Sequence, residues 1–259
     1  LVRELAAQYE RLNGIRPTII TADNFDFSRL RSPHWVKAFL WDLVGPEIQR
    51  ITWIDSDAIC IRRLPPWPDA AFAAAPDRLA ASVESKHPQL RPLRSYFNSG
   101  FFSCTRKSLS AFEALKAAMA LPAVGEIWEQ GAFNLAVAEN LGEFRLLPQT
   151  WNWLVPFLGS PPAECFVLHF AGATDGSLRD TRIRRYLAAA DLVRRGRQLE
   201  HAGKAKQAAD AYQEALKLGG PDVDVLNRLA HMLNDTGQLT EAAERLQGVI
   251  SLQPKSPIG

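Results

Sequence analysis

The sequence predicts an α/β domain with a mixed, mostly parallel sheet, followed by a separate all-α segment. Two observations carry this prediction. In the first 57 residues, helical patterns alternate with β-rich runs, at residues 17–21 and 51–54. Such alternation is typical of parallel sheets covered by helices. The residues after 188 instead repeat with a period of 34. We therefore expect one domain at residues 1–187 and a second at 188–259.

The first element is predicted to be an amphipathic helix. Leu1, Leu5, Tyr9 and Leu12 share one helical face, and Gly14 is expected to end it. A second helix is expected to begin at residues 32–33, where proline occupies its first position. Because sheets of this class usually begin with a strand, we expect that a first strand is missing before residue 1.

Composition excludes several classes of protein. The chain has 259 residues, 47% of them hydrophobic, and a net charge of +2. It contains no apolar run near the ~18 residues that span a membrane, and its start lacks the pattern of a signal peptide. We expect a cytoplasmic protein without an integral membrane segment. The three cysteines follow no metal-binding spacing and are expected to be buried thiols. The basic cluster in residues 179–197 is expected to be a solvated helix face, and no nucleic-acid partner is predicted.

The C-terminal repeat becomes visible when Gly203 is aligned with Gly237. The alignment matches Leu192 with Leu226, Gly196 with Ala230, Leu199 with Leu233, Ala208 with Ala242, and Tyr212 with Leu246. This period and pattern resemble tetratricopeptide repeats, in which antiparallel helices pack through small residues. Two repeats are predicted, at about 189–222 and 223–256. Because a stable stack normally needs about three, we expect them to pack on the first domain, on another chain (a protein partner or a second copy), or on missing repeats.

Two carboxylates follow the predicted strand at 51–54, in the triplet Asp55-Ser56-Asp57. In α/β sheets, ligands bind at the carboxyl ends of the strands. The sequence offers no obvious partner for these charges, so a counter-ion is expected there. Hard oxygen ligands suit Mn²⁺ or Mg²⁺, which bridge phosphate groups. A second triplet, Asp222-Val223-Asp224, follows Pro221 and is expected only to cap a helix.

Further segments follow the first triplet in a characteristic order: Tyr96–Gly100, then Glu129-Gln130 with Asn134, then Leu147-Pro148 with Trp151-Asn152, and finally Leu168–Gly172. Together with the triplet, these segments resemble retaining glycosyltransferases of the GT-A fold over about residues 15–175. The likeness is to family eight and its relatives, including the glycogenin-like and galactosyltransferase groups. Two departures are visible: Glu129 stands where the family usually has Asp, and residues 173–176 replace its Lys-Pro-Trp segment.

The resemblance implies a role for individual residues. The metal ligands would be Asp55, Asp57 and His169, although a lone His in an apolar strand is also compatible with a core residue. The residues implied to contact the donor are Lys37, Asp55, Ser56, Asp57, Asn98, Ser99, Gly100 and Gly172. Those implied near the reacting carbon are Gln130, Glu129 and Asn98.

The expected activity is metal-dependent transfer of a hexose from a nucleotide diphosphate sugar, a UDP-sugar, with retention of configuration. The acceptor would be a glycan, lipid or protein of unknown identity. Two alternatives remain open. Phosphatases of the haloacid dehalogenase type also carry a strand followed by Asp-x-Asp, and there Asp55 would be the nucleophile. A repeat-containing scaffold without activity is the second alternative.

Overall fold

A computed structural model describes residues 1–77, 90, 93, 95–121, 128–141, 144–158, 161–162, 164–171 and 176–252. Contacts divide these residues into two compact units. The first unit lies within residues 2–161 and 165–172. The second lies within residues 173–259 and also includes residues 1 and 162–164. The predicted boundary after residue 187 falls inside the helix Gly176–His201.

Among the described residues of the first unit, four α-helices are present: α1 (Val2–Asn13), α2 (Leu109–Met119), α3 (Trp128–Asn140) and α4 (Val155–Leu158). Its 3-10 segments are Phe27–Arg29, Pro33–Asp42, Arg106–Ser108 and Gln149–Trp151. Helix α1 agrees with the prediction, and Gly14 ends it at a φ of 71°. The helix expected at residue 33 begins there, with Ser32 as its N-cap, but it is of the 3-10 type.

The strands of this unit form two small mixed sheets. They are β1 (Arg50–Ile54), β2 (Ala58–Cys60), β3 (Phe72–Pro76), β4 (Phe97–Thr105), β5 (Arg145–Leu146), β6 (Trp153–Leu154) and β7 (Val167–His169). The first sheet has the order β1-β4-β3-β5, and the second has the order β2-β7-β6.

The described strands do not form the mostly parallel sheet that the sequence predicted. Strand β4 pairs antiparallel with both β1 and β3, and β2 pairs antiparallel with β7. Only the pairs β3 with β5 and β6 with β7 are parallel. The predicted strand at residues 17–21 is not assigned as a strand. Strand direction depends on contacts distant in sequence, so local alternation could not specify it.

Both faces of the first sheet are covered. Along β3, Phe72 and Ala74 point into one apolar cluster, while Ala73 and Ala75 point into another, as the two-residue period of a strand requires. The first cluster also holds the rings of Phe97, Phe102, Phe112 and Phe133. The central strand β4 is therefore buried from Phe97 to Cys104. Its polar residues consequently lie in a desolvated environment.

The second unit is helical, with α5 (Gly176–His201), α6 (Ala205–Gly219), α7 (Val223–Asp235) and α8 (Leu239–Leu252). Two of its turns, at Gly203 and Gly237, have the same geometry. Gly203 and Gly237 have φ values of 71° and 79°, and the following residues, Lys204 and Gln238, each donate to a carbonyl five residues earlier. This is the Schellman termination, for which glycine is favoured. The predicted period of 34 therefore appears as a repeated turn.

The three cysteines, Cys60, Cys104 and Cys165, are free and buried, as expected. Burial raises the pKa of Cys60 to about 11 and that of Cys104 to about 12. No helix in the described part of the chain has the length and apolar character needed to cross a membrane.

The crossing of α5 and α6 gives the first testable prediction. A Cβ added at Gly196 would lie 2.5 Å from Cε1 of Tyr212, whose ring is fully buried and whose hydroxyl donates to Glu200 Oε2 at 2.6 Å. Gly196→Ala should therefore lower the free energy of unfolding by about 1–3 kcal/mol through overpacking. Urea unfolding followed by circular dichroism measures this loss.

Gly248→Ala is the matched control. A Cβ at this helical glycine would lie 3.9 Å from Leu226 Cδ1, an ordinary van der Waals distance. It should be neutral or stabilise by about 0.5–1 kcal/mol through helix propensity. Equal stability of the two variants would contradict the close packing at Gly196.

Candidate metal centre

The triplet Asp55-Ser56-Asp57 forms the turn by which the chain leaves one sheet and enters the other. Strand β1 ends at residue 54 and β2 begins at residue 58. The Ala58 amide donates to the Asp55 carbonyl at 3.0 Å, which closes the turn. Asp55 and Asp57 are partly buried, and Ser56 is exposed. The turn therefore presents two carboxylates where the sheets meet.

His169 reaches the same place from the end of β7. It pairs with Ala58 in the second sheet, and the Phe170 amide donates to the Asp57 carbonyl at 3.0 Å. Its Nε2 lies 3.2 Å from Asp57 Oδ1, and the ring is 2% exposed. Single ligand atoms of Asp55, Asp57 and His169 all lie within 4.8 Å of one another. The structure thus brings together the three residues predicted as metal ligands.

Gly100 makes this convergence possible. Its carbonyl accepts the Asp55 amide at 2.8 Å, which continues the β1–β4 pairing and places Gly100 beside the start of the turn. A Cβ there would lie 2.0 Å from His169 Cε1 and 2.9 Å from Asp55 Oδ2. Gly100 has no left-handed backbone, so what excludes a side chain here is lack of space.

Lys37 brings a buried positive charge to the site. Its Nζ lies 3.1 Å from Glu129 Oε1, 3.1 Å from Ser99 Oγ and 3.4 Å from Asp55 Oδ1, and its side chain is 2% exposed. Burial alone would lower the pKa of Lys37. The charges of Asp55 and Glu129 outweigh burial and raise that pKa, which keeps the ammonium protonated.

These contacts correct the expectation that Asp55 lacks a partner. Besides Lys37, its Oδ1 accepts the indole N–H of Trp53 at 2.6 Å. The indole lies two residues earlier on β1, so it points to the same side of the strand as Asp55. The strand period alone predicts that Trp53 lies on the same side as Asp55. It does not predict that Lys37, from another element, contacts Asp55.

A buried polar network lies behind the cluster. Gln130 Nε2 donates to Asp77 Oδ2 at 2.7 Å, and its Oε1 accepts the Ser99 amide at 3.0 Å. Asn98 Nδ2 lies 3.3 Å from the same two acceptors. On α3, Asn134 holds both the amide and the carbonyl of Phe97. This clamp fixes the position of Glu129 and Gln130 relative to β4.

Two residues of the site had no predicted role. Asp77 directly follows β3, and it is 6% exposed. The rule that drew attention to Asp55, a carboxylate at the end of a buried strand, would also have found it. Asn152 is fully buried behind His169, and its Oδ1 lies 3.1 Å from His169 Nδ1. Of the predicted residues, Gly172 lies outside the described part of the chain.

The three-residue cluster fits a divalent cation. Ligand atoms bound to one ion at about 2.1–2.6 Å lie at most about 4.2–5.2 Å apart. The observed limit of 4.8 Å falls in the part of this range set by the longer Ca²⁺ distances. Ligands of one Mg²⁺, at about 2.0–2.1 Å, lie at most about 4.2 Å apart, so the three side chains would have to draw closer around so small an ion. Two carboxylates and an imidazole are donors that Mn²⁺ accepts, and Mg²⁺ favours the carboxylates. The identity of the ion does not follow from this geometry.

The second triplet behaves as expected for a helix cap. Asp222 accepts the Val225 amide at 3.0 Å as the N-cap of α7. Asp224 accepts from Arg197 at 2.9 Å and from Arg228 at 3.2 Å. Its pKa is lowered because these hydrogen bonds and charges outweigh desolvation.

A cavity of about 430 Å³ lies apart from these groups. It contains no carboxylate or histidine, so it offers no metal ligand; its lining is Pro66, Pro68, Arg145, Leu146, Leu147, Pro148 and Trp151. The convergence of charged and hydrogen-bonding groups, rather than cavity volume, marks the candidate site.

Comparisons with known proteins do not assign this chain to a family. No family model matches the chain, and no curated protein matches it. Among solved structures, it is similar to the crystal structure of mouse xyloside xylosyltransferase 1 in its apo form. The identity is 15%, the TM-score is 0.36, and the match covers 55% of this chain and 64% of that chain. This is a weak likeness, and it assigns no family.

Gly100 provides the second testable prediction. Because a methyl group there would displace both His169 and Asp55, Gly100→Ala should weaken Mn²⁺ binding by about 100-fold. Isothermal calorimetry on the full chain measures the affinity, and circular dichroism verifies folding. Gly248→Ala should bind Mn²⁺ as the unmodified protein does. Unchanged affinity in a folded Gly100→Ala protein would contradict the proposed position of the cation.

Proposed function

We propose that this chain is a metal-dependent glycosyltransferase that moves a hexose from a nucleotide diphosphate sugar, with UDP as the nucleotide, to an acceptor. The observation that carries the proposal is the cluster of Asp55, Asp57 and His169, with ligand atoms within 4.8 Å. A divalent cation held there, Mn²⁺ or Mg²⁺, supplies Lewis-acid stabilisation of a departing diphosphate. The acceptor is a glycan, lipid or protein.

We propose retention through attack on the face that the diphosphate leaves. The bond from the sugar carbon to the diphosphate breaks, the bond to the acceptor oxygen forms, and the acceptor proton passes to a diphosphate oxygen. This route needs no protein nucleophile. The environment of Glu129 agrees with this route, because its carboxylate is 8% exposed and its Oε1 already accepts from Lys37 at 3.1 Å. Glu129 then acts near the reacting carbon through Lys37, not by attacking it.

Lys37 offsets part of the negative charge of the site. Two carboxylates face its ammonium within 3.4 Å. The role of Lys37 toward the nucleotide sugar is therefore electrostatic: it stabilises negative charge that develops near Asp55 as the sugar leaves. Because it is fixed before the donor arrives, this stabilisation requires little reorganisation.

The remaining donor contacts come from the strand and the network beside it. Gln130 and Asn98 orient the sugar, and Asp77 holds the amides of both. In this proposal Ser99 and Gly100 shape the donor site from β4: Ser99 accepts from Lys37, and Gly100 leaves room for His169. Exposed Ser56 contacts the nucleotide side of the donor. Gly172 completes the donor site in this proposal.

The helical unit is proposed to consist of two tetratricopeptide repeats, with the boundary of the enzyme domain near residue 187. The supporting observations are the equivalent turns at Gly203 and Gly237 and the small residue at the α5–α6 crossing, Gly196. In this proposal the repeats bind a protein partner or a second copy.

Asp57 gives the third testable prediction. Asp57→Asn removes a charged ligand while keeping the shape of the side chain. It should lower Mn²⁺-dependent release of nucleoside diphosphate from a nucleotide-sugar panel by at least about 100-fold. Asp222→Asn, in the other triplet, preserves a good N-cap and should leave turnover unchanged.

Three outcomes would contradict the proposal. Undiminished metal-dependent turnover in Asp57→Asn would remove the cation site from the mechanism. A trapped phosphoaspartate at Asp55 would favour the phosphatase, although both Trp53 and Lys37 already engage that carboxylate. No Mn²⁺-dependent affinity for any uridine or guanosine diphosphate sugar would favour the inactive scaffold.

A further inference from the structure

A continuous chain of hydrogen bonds runs from the backbone of β4 to the imidazole of His169. The Gly100 amide donates to Asn98 Oδ1 at 3.0 Å. Asn152 Nδ2 donates to the same oxygen at 2.9 Å. Asn152 Oδ1 then lies 3.1 Å from His169 Nδ1. Both asparagines are buried, with exposures of 6% for Asn98 and 0% for Asn152.

The hydrogen bond from Gly100 fixes which atom donates and which accepts in each of the following bonds. A backbone amide can only donate, so the Asn98 atom that faces Gly100 must be its oxygen. The other end of the Asn98 amide faces Asp77 Oδ2 and Gln130 Oε1 at 3.3 Å, where a nitrogen is required. The Asn152 atom that shares the Asn98 oxygen must therefore be a nitrogen. It follows that Asn152 presents its oxygen to His169.

This direction constrains the ring of His169. Neutral imidazole carries one N–H, yet oxygen atoms face both of its nitrogens: Asn152 Oδ1 at 3.1 Å from Nδ1 and Asp57 Oδ1 at 3.2 Å from Nε2. One proton cannot serve both contacts. If the proton is on Nδ1, it donates to Asn152, and the lone pair of Nε2 faces Asp57. A cation between Nε2 and Asp57 then satisfies the second contact.

We infer that Asn152 is a positioning residue that holds His169 in the Nδ1–H tautomer and aims the Nε2 lone pair at the cation between Asp55 and Asp57. This inference rests on the proposed function. Metal-bound histidines usually donate their other N–H to a neighbouring acceptor, which fixes the ring and increases its basicity. Here the acceptor is a neutral amide, and the backbone of β4 fixes its orientation through Asn98.

Two substitutions separate this role from a merely structural one. Asn152→Leu removes the acceptor and should weaken Mn²⁺ binding by about 10–100-fold. Asn152→Asp keeps an acceptor for Nδ1–H but loses the donor to Asn98. It should bind Mn²⁺ within about threefold of the unmodified protein, or more tightly, because a carboxylate increases imidazole basicity. A structural role predicts the opposite order, since Asp places an unpaired charge in a buried site.

The experiment is calorimetric titration of the full chain and both variants with Mn²⁺ at one pH, with circular dichroism as the check on folding. Tighter binding by Asn152→Asp than by Asn152→Leu supports the inference. Equal weakening of the two, or affinity of a folded Asn152→Leu protein within about threefold of the original, overturns it. If the unmodified protein does not bind Mn²⁺, the proposed function fails as well.

A second measurement covers a Leu variant that fails to fold. Nitrogen-15 spectra of the unmodified chain with saturating Mg²⁺, a diamagnetic ion, report the tautomer of His169 directly. A protonated Nδ1 with an unprotonated Nε2 is the expected result. A proton on Nε2 overturns the inference.

Discussion

The hydrogen bond from the Asp55 amide to the Gly100 carbonyl, 2.8 Å long, joins the two parts of the candidate site. It places the start of the turn between β1 and β2 beside Gly100 of β4, where a side chain would meet His169 and Asp55. Asp55 reaches the site from the first sheet, whereas Asp57 and His169 are held by contacts with the second. Without a close approach at Gly100, these donors would not converge. The geometry of a cation site thus follows from one backbone contact and one missing Cβ.

Charge is the second constraint. Asp55 and Glu129 share a single buried ammonium, that of Lys37, and Asp77 accepts hydrogen bonds from two amides. Buried charges are tolerated when they are paired and hydrogen-bonded. Lys37 compensates the side of the cluster nearest Asp55, and the imidazole of His169 faces Asp57. A divalent cation would add its positive charge to that of Lys37.

Sequence patterns predicted local features better than distant ones. Helix α1, the end at Gly14, strand β1 and the buried cysteines were all predicted, because each depends on neighbouring residues or on apolar content. The direction of pairing around β4 was not, since it depends on strands far apart in sequence. Asn98, Ser99 and Gly100 had been given a donor role but no secondary structure, and they lie within β4.

The residues of the site also separate into those that the sequence predicted and those that it did not. Asp55, Asp57 and His169 were predicted from their order along the chain, and the structure brings them together. The pairing of Lys37 with Glu129, and the position of Asn152 behind His169, depend on side chains that meet only in the folded chain. Asp77 was missed even though it follows a buried strand, because a single carboxylate lacks the triplet that made Asp55 visible.

The most direct test of the central claim is anomalous diffraction from crystals of the full chain grown with Mn²⁺ and UDP. A strong peak bound by carboxylate oxygens of Asp55 and Asp57 and by Nε2 of His169 is the predicted result. Absence of a peak between these three residues, in crystals that bind Mn²⁺ elsewhere, would contradict the account.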